Sequence, residues 1–261
     1  MDTVAVEVGG LRIGYRQAGQ GPAVLLLHGG VSDGRVWRQQ MEDLAGEFTI
    51  VAWDAPGCGA SDDPPETFSL ADYADCAAGF VEALGLERPH VVGHSFGGGL
   101  AIELFDRYPS MPRSLVLMGA YAGWAGSLPA DAVEARLTAF LAFEEPFEPR
   151  SFPGLFSDVM PPEAAEELTR IMEDVRLAPA KTMIRAFAAA DLRHALAGID
   201  VPTLLLYGED DERSPRFVAE HLHAHIPGSQ LVVLPGLGHE LSYESPAAFT
   251  GAVVPFLRSV G

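Results

Sequence analysis

The sequence predicts an α/β fold with a mostly parallel sheet of roughly eight strands and helices on both of its faces. Short apolar runs recur along the chain, and they are continuous rather than alternating with polar residues. Stretches of helical composition separate these runs. Continuous apolar strands joined by helices are typical of parallel sheets that are covered on both faces. The 261 residues, 48% of them hydrophobic, suffice for one medium domain with an insertion or for two small domains.

The first element is a predicted hairpin, in which residues 4–8 and 11–15 flank a turn at Gly9-Gly10. The remaining strands are predicted from apolar runs at residues 24–27, 49–53, 90–92, 115–118, 203–207 and 230–234. The main helices of the core are predicted near residues 35–45, 70–84, 100–108, 216–225 and 246–257. In sheets of this kind ligands bind beyond the C-terminal ends of the strands, so the residues that follow each strand are the first candidates for a site.

One segment interrupts the alternation of strands and helices. Residues 122–196 contain no convincing strand but have helical stretches at residues 130–143, 163–176 and 180–189. The segment is too long for a plain connection between two elements. We therefore predict a core made of residues 1–121 and 197–261, with a helical lid, residues 122–196, inserted after the sixth strand.

Charge and composition argue against several kinds of partner. The formal net charge is −19, so we expect binding neither to nucleic acid nor to anionic membrane surfaces, which are themselves polyanions. No apolar run reaches the ~18 residues that a membrane span needs. The first residues lack a basic stretch followed by an apolar segment, and we therefore expect a cytoplasmic protein. Composition leaves the oligomeric state open.

Neither the cysteines nor the histidines predict a metal centre. Cys58 and Cys76 are too few for a disulfide framework or a cysteine-based metal site. His221 and His225 lie four residues apart on a predicted helix, a spacing that can bind a metal ion. The sequence around them does not complete such a site, so we interpret these histidines as part of a solvated helix face.

The most informative motif is GHSFG at residues 93–97, which lies between a predicted strand and a predicted helix. A Gly-x-Ser-x-Gly motif in that position is a nucleophile elbow, a tight turn that holds the serine hydroxyl above the sheet edge. The pattern occurs a second time at residues 30–34, but there the strand ends several residues earlier and no small-residue helix start follows. We therefore predict Ser95 as a nucleophile and interpret Ser32 as a loop residue.

A serine hydroxyl is a weak nucleophile that needs a base, and the base needs an acid to orient it. In an elbow-containing sheet the expected chain order is serine, acid, histidine. The last two predicted strands are followed by suitable residues, with Asp210 and Asp211 after the first and His239 on a glycine-rich loop after the second. The chain order alone does not choose between the two adjacent aspartates.

With these motifs the chain resembles the α/β-hydrolase-fold superfamily, and within it the lidded, single-domain serine esterases, lactonases and C–C hydrolases. The resemblance runs from about residue 11 to residue 257 and fades only in the lid. Five ordered motifs carry it: Leu27-His28-Gly29-Gly30 with Trp37, Asp54-x-x-Gly57-x-Gly59-x-Ser61, the elbow, Gly208-x-x-Asp211-x-x-x-Pro215, and Gly238-His239 with Pro246 and Phe249.

The resemblance implies a catalytic triad of Ser95, Asp211 and His239, since the family places the acid three residues after the glycine of its motif. Asp210 is then expected to be a solvated loop residue. The implied activity is hydrolysis of a carboxylic ester or lactone through an acyl-enzyme, without metal or cofactor. The alternatives are a C–C bond hydrolase that uses the same triad on a β-diketone-like substrate, and a slow hydrolase that acts as a small-molecule receptor.

The resemblance also implies an oxyanion hole made by the backbone N–H groups of Phe96 and of Gly30, with Val31 as the alternative to Gly30. Trp124 is a candidate substrate-binding residue. At least half of the phenylalanines of the predicted lid are expected to pack the lid onto the core, and the others to line an apolar pocket above Ser95. That segment has few basic residues placed to hold an anion. Together with the negative charge of the chain, this predicts a neutral, apolar, small-molecule substrate.

Overall fold

The computed structural model describes residues 1–145 and 147–260, without the side chain of Ser151. Within this range eight strands form one sheet: β1 (Val4–Val8), β2 (Leu11–Ala18), β3 (Ala23–Leu27), β4 (Thr49–Trp53), β5 (His90–His94), β6 (Ser114–Met118), β7 (Thr203–Gly208) and β8 (Gln230–Leu234). Their spatial order is β1-β2-β4-β3-β5-β6-β7-β8. Strand β2 is antiparallel to both of its neighbours, and the other neighbouring pairs are parallel. The predicted α/β class and mostly parallel sheet are confirmed.

The core helices are α1 (Arg38–Leu44), α2 (Leu70–Ala83), α3 (Phe96–Arg107), α8 (Arg216–His225), α9 (Leu241–Glu244) and α10 (Pro246–Ser259). The connection from β3 to β4 runs in the opposite direction across the sheet to the later connections. Because crossovers between parallel strands are right-handed, α1 lies on one face and α2, α3 and α8 lie on the other. Helix α10 packs beside α1. The sheet is therefore covered on both faces, which explains why its inner strands are apolar throughout.

Two predicted helices differ from the observed ones for local reasons. The stretch near residues 35–45 begins with a 3-10 turn, Gly34–Trp37, because the Asp33 side chain accepts a hydrogen bond from the Arg35 N–H before α1 starts. Helix α3 begins at Phe96, four residues earlier than predicted. Residues 97–99 are glycines, which have low helix propensity, but in this structure they allow the helix to approach the sheet closely.

Between β6 and β7 lies a helical segment that holds α4 (Ala130–Leu141), α5 (Pro162–Glu173), α6 (Leu177–Ala189), the short α7 (Arg193–Leu196) and a 3-10 turn at Pro149–Ser151. The described residues of this segment contain no strand, as the sequence predicts. Among the described residues, three arginine–carboxylate pairs attach it to the rest of the chain: Arg38–Glu167, Arg35–Asp174 and Arg176–Asp63. No helix in the described ranges is both long enough and apolar enough to cross a membrane.

A buried carboxylate joins three segments that approach the same edge of the sheet. The side chain of Asp54, which follows β4, is fully inaccessible to solvent and pairs with the Arg16 guanidinium on β2 at 2.8 Å. It also accepts the backbone N–H groups of Gly34 and Ala60, each at 2.9 Å. Asp54 therefore fixes the loop after β3 as well as its own glycine-rich loop.

We expect Asp54→Ala to lower the free energy of unfolding by about 3 kcal/mol, because it leaves a buried guanidinium and two backbone N–H groups without their acceptor. Urea denaturation at pH 7 measures this loss. Asp62→Ala is the matched control, since the Asp62–Arg12 pair is about half exposed, with side-chain exposures of 49% and 54%, and such pairs contribute only about 0–1 kcal/mol. Equal losses in the two variants would contradict the role assigned to Asp54.

Candidate active site

Ser95 lies in the turn between β5 and α3 with φ 51° and ψ −109°, a conformation that residues with a side chain rarely adopt. The turn is tight enough to bring backbone against backbone. A Cβ atom on Gly93 would lie 2.2 Å from the Gly97 carbonyl oxygen, and a Cβ atom on Gly97 would lie 2.3 Å from the Leu27 carbonyl oxygen. Only glycine fits at these two positions. The serine is held at the N-terminus of α3, as in a nucleophile elbow.

The second Gly-x-Ser-x-Gly pattern, residues 30–34, forms a loop and the start of a 3-10 turn, as predicted. The Ser32 hydroxyl donates to the Gly29 carbonyl oxygen at 3.2 Å. Ser32 nevertheless lies on the wall of the cavity that Ser95 lines, a proximity that the sequence did not indicate.

His239 follows β8, and its Nδ1 lies 2.9 Å from Oδ2 and 3.1 Å from Oδ1 of Asp211, which follows β7. An ionised carboxylate can only accept, so Nδ1 carries the hydrogen and Nε2 keeps its lone pair. Both side chains are almost inaccessible to solvent. Asp211 also accepts the backbone N–H groups of Arg213 at 2.9 Å and Ser214 at 2.7 Å. The carboxylate is thus satisfied on several sides while it orients the histidine.

The adjacent aspartate lies in a different environment. The Asp210 side chain is exposed, and its backbone N–H donates to the Leu237 carbonyl oxygen at 2.9 Å. The structure therefore brings Asp211 to His239 and leaves Asp210 at the surface.

Ser95 and His239 line one cavity at the C-terminal ends of the strands. Gly30, Val31 and Phe96 line it too, and no described residue accepts a hydrogen bond from the backbone N–H of any of the three. These three N–H groups are therefore without an acceptor in the described part of the chain.

The helical segment supplies most of the apolar wall of this cavity. Its contributions are Trp124, Phe152, Leu155, Leu168, Met172, Ile184 and Phe187. Trp124 packs against Phe187, with ring centroids 5.9 Å apart. Phe140, Phe143 and Phe147 lie outside this wall and pack with one another and with Phe152. Part of the aromatic set thus packs the segment internally, and part faces the cavity.

His94, which precedes Ser95 in the elbow, lies on the cavity wall against His239, with ring centroids 4.7 Å apart. Its Nε2 lies 3.1 Å from the His239 carbonyl oxygen, which can only accept, so Nε2 carries the hydrogen. Burial, and after it the neighbouring His239, lowers the pKa of His94 well below its ordinary range. His94 is therefore a neutral donor that holds the loop carrying His239.

Two further ionisable side chains on the wall, Arg213 and Glu240, were not foreseen from the sequence. A sequence signal did exist, because each lies within two residues of a residue of the Asp211–His239 pair. Glu240 is buried, with Oε2 3.9 Å from Nδ1 of His94. Burial raises the pKa of Glu240 to about 7.

His94, His239 and Glu240 bring their potential ligand atoms within 4.8 Å of one another, the one such metal-binding set found among the described residues. The positive charge of Arg213 on the same wall opposes a cation there. One nitrogen of each imidazole is also engaged in a hydrogen bond. We therefore assign no metal to this set.

The model of the alpha/beta hydrolase family matches residues 24–252. The 2-hydroxymuconate semialdehyde hydrolase of Pseudomonas sp. strain CF600 is 30% identical, over 95% of this chain and 91% of that protein. The 2-(acetamidomethylene)succinate hydrolase of Mesorhizobium japonicum is 28% identical, over 97% and 94%. A thermophilic esterase of Thermogutta terrifontis, solved with malate bound, superimposes with a TM-score of 0.88 at 27% identity, covering 100% of this chain and 99% of that one. The chain is thus similar along its whole length to hydrolases with different names and substrates.

The environment of Glu240 makes stability depend on pH. The pKa of this carboxyl is about 7 in the folded protein against an ordinary 4.5, so its protonated form stabilises the fold, and this stabilisation is lost as the pH rises towards and past 7. Glutamine cannot ionise. We therefore expect Glu240→Gln to gain stability relative to the wild type between pH 5 and pH 8, by up to ~3 kcal/mol.

Urea denaturation of both proteins at pH 5 and pH 8 measures this difference. Glu66→Gln, at an exposed position, is the control and should show no comparable change with pH. A difference between Glu240→Gln and the wild type that stays constant from pH 5 to pH 8 would show that Glu240 is ionised in the folded protein throughout.

Proposed function

The chain belongs to the alpha/beta hydrolase family, and from that premise we propose that it is a serine hydrolase that cleaves a carboxylic ester or a lactone. One observation carries the proposal. Ser95, strained at the N-terminus of α3, lines the same cavity as His239, whose Nδ1 is bound by the buried carboxylate of Asp211. This combination of nucleophile, base and orienting acid is the one that acyl transfer requires.

In the proposed reaction Nε2 of His239 takes the proton from the Ser95 hydroxyl as its oxygen attacks the carbonyl carbon of the substrate. The new oxyanion is stabilised by the backbone N–H of Phe96 and by that of Gly30 or Val31. His239 then gives the proton to the leaving oxygen, and an acyl-enzyme remains. Water activated by His239 attacks the acyl-enzyme, which releases the acid and restores Ser95. In this mechanism Asp211 remains a carboxylate and stabilises the imidazolium of His239.

The proposed substrate is a small molecule whose acyl group is apolar, because the wall contributed by the helical segment is made of aliphatic and aromatic side chains. In this proposal residues 122–196 act as the lid over a core made of residues 1–121 and 197–261. Trp124 and Phe187 are the aromatic side chains that would contact the bound acyl group.

A C–C bond hydrolase is the second candidate function, favoured by the similarity to 2-hydroxymuconate semialdehyde hydrolase. The same serine, histidine and aspartate would serve it. A parallel assay of an aryl ester, a lactone and a vinylogous diketone, with the wild type and with Ser95→Ala, separates the two. Turnover of the diketone alone would favour C–C cleavage over the ester and lactone reaction.

We expect a fluorophosphonate probe to label Ser95 and to leave Ser32 unmodified, because only Ser95 lies in the strained turn at a helix N-terminus. Peptide mapping by mass spectrometry locates the adduct. Ser95→Ala should abolish labelling, and Ser32→Ala, the matched control on the same cavity wall, should still be labelled. An adduct on Ser32, or none on the wild type, would overturn the assignment of the nucleophile.

We expect Asp211→Asn to lower kcat on the order of 10⁴-fold, because the amide no longer fixes the tautomer of His239 that accepts the serine proton. Asp210→Asn is the matched control, since it makes the same chemical change at the exposed neighbouring position, and it should change kcat little. Steady-state kinetics on an aryl ester that Ser95→Ala does not hydrolyse provide the measurement. A larger loss of kcat in Asp210→Asn than in Asp211→Asn would show that Asp210, and not Asp211, is the acid that orients His239.

A further inference from the structure

Contacts of its backbone N–H, its carbonyl oxygen and its guanidinium hold Arg213 on the cavity wall. Its backbone N–H donates to Asp211, and its carbonyl oxygen accepts from the Tyr121 hydroxyl and, at 3.0 Å, from Nη1 of Arg136. The guanidinium carbon lies 4.2 Å from the centroid of the Phe152 ring, and Nη1 donates to the Pro153 carbonyl oxygen at 2.9 Å. The guanidinium is therefore positioned before any substrate binds, which lowers the entropic cost of using it.

The guanidinium nevertheless has no carboxylate partner. Nine arginines in the described part of the chain pair with an aspartate or glutamate within 4.0 Å, and Arg213 is not one of them. A guanidinium has donors on three nitrogens, and the described residues accept from Nη1 alone. In a chain with 36 acidic residues, an unpaired and half-buried arginine on the wall of the cavity that Ser95 lines needs an explanation.

Three acidic side chains lie near the guanidinium, and none of them pairs with it. Asp211 is engaged by His239 and by the backbone N–H groups of Arg213 and Ser214. Glu212 is exposed and lines a groove that shares Trp124, Phe152 and Arg213 with the cavity. Glu240 lies on the cavity wall itself, and burial keeps a large part of it protonated near pH 7. Arg136, which lines the same groove as Glu212, adds a second positive charge behind Arg213. Arg213 and Arg136 thus place two positive charges at this part of the cavity wall, although the protein as a whole is acidic.

We infer that Arg213 binds a carboxylate of the substrate, so that the hydrolase acts on esters or lactones that carry one carboxylate in addition to an apolar group. Guanidinium and carboxylate match in shape and can form two parallel hydrogen bonds. A monoanion fits better than a phosphate, because one guanidinium must offset its charge against the nearby Asp211 and the negative field of the protein. The inference rests on the proposed function and replaces the expectation of a neutral substrate, which was based on the few basic residues of the predicted lid and on the net charge of the chain.

Two pairs of esters test the inference, each an anionic ester with a neutral counterpart. The first pair is 4-acetoxybenzoate and 4-acetoxybenzamide, in which the leaving group carries the carboxylate or the neutral amide. The second pair is monophenyl adipate and phenyl hexanoate, in which the acyl group carries a carboxylate or none. We expect Arg213→Gln to lower kcat/KM more for the anionic ester than for the neutral ester in at least one pair. The difference should be on the order of 10- to 100-fold, because the variant loses a charge-assisted hydrogen bond to the carboxylate. Arg185→Gln, an exposed arginine of α6, is the control with the same charge change and should alter neither ratio.

Equal losses for both members of both pairs would overturn the inference, because they would show that Arg213 only braces the chain at Phe152 and Pro153. A binding measurement separates this failure from a failure of the proposed function. Calorimetry measures the affinity of 4-acetoxybenzoate and of 4-acetoxybenzamide for two proteins, Ser95→Ala and the double variant Ser95→Ala with Arg213→Gln. This measurement needs no turnover. Selective loss of affinity for the anion supports the carboxylate site even if none of the esters is hydrolysed, and equal affinities overturn it.

Discussion

The contact of backbone with backbone at the start of α3 is the constraint on which the rest of the site depends. Gly93 and Gly97 have no room for a side chain, and Gly97 lies directly against the Leu27 carbonyl oxygen at the end of β3. This contact sets how far the helix descends towards the sheet. It also holds Ser95 in its strained conformation, and the N–H group of Phe96, the first residue of α3, has no acceptor among the described residues. Such strain persists only where the surrounding structure determines it, and here six parallel strands and the covering helices do so.

The loop after β7 combines two tasks through one carboxylate. Asp211 orients His239 through Nδ1 and accepts the N–H groups of Arg213 and Ser214, and the Ser214 hydroxyl in turn donates to the Gly119 carbonyl oxygen at 2.6 Å. The acid that orients the histidine therefore also fixes the turn that places the Arg213 guanidinium on the cavity wall. Catalysis and substrate selection would then share one rigid loop, which keeps their relative geometry constant.

Two parts of the chain with different chemistry form the wall of the cavity. The loops at the strand ends contribute polar groups, among them Ser95, His94, Arg213 and Glu240, whereas the helical segment contributes aliphatic and aromatic side chains. A change in the helical segment can therefore alter the apolar part of the pocket without disturbing the Asp211–His239 pair. This separation gives a physical reason why relatives of similar fold carry the names of different hydrolases.

The sequence by itself determined the order of strands and helices, since apolar runs buried on both faces and helical periodicity are local signals. It also indicated that Ser95 lies at a strand–helix turn, because glycines at fixed spacing report a tight turn directly. It could not show that Arg213 and Glu240 share a wall with Ser95, nor that Ser32 and His94 reach the same cavity. Those proximities depend on how distant loops converge at the sheet edge, and on burial, which decides whether a charged side chain finds a partner. Only the tertiary structure sets these, since the residues concerned lie on separate loops up to two hundred positions apart.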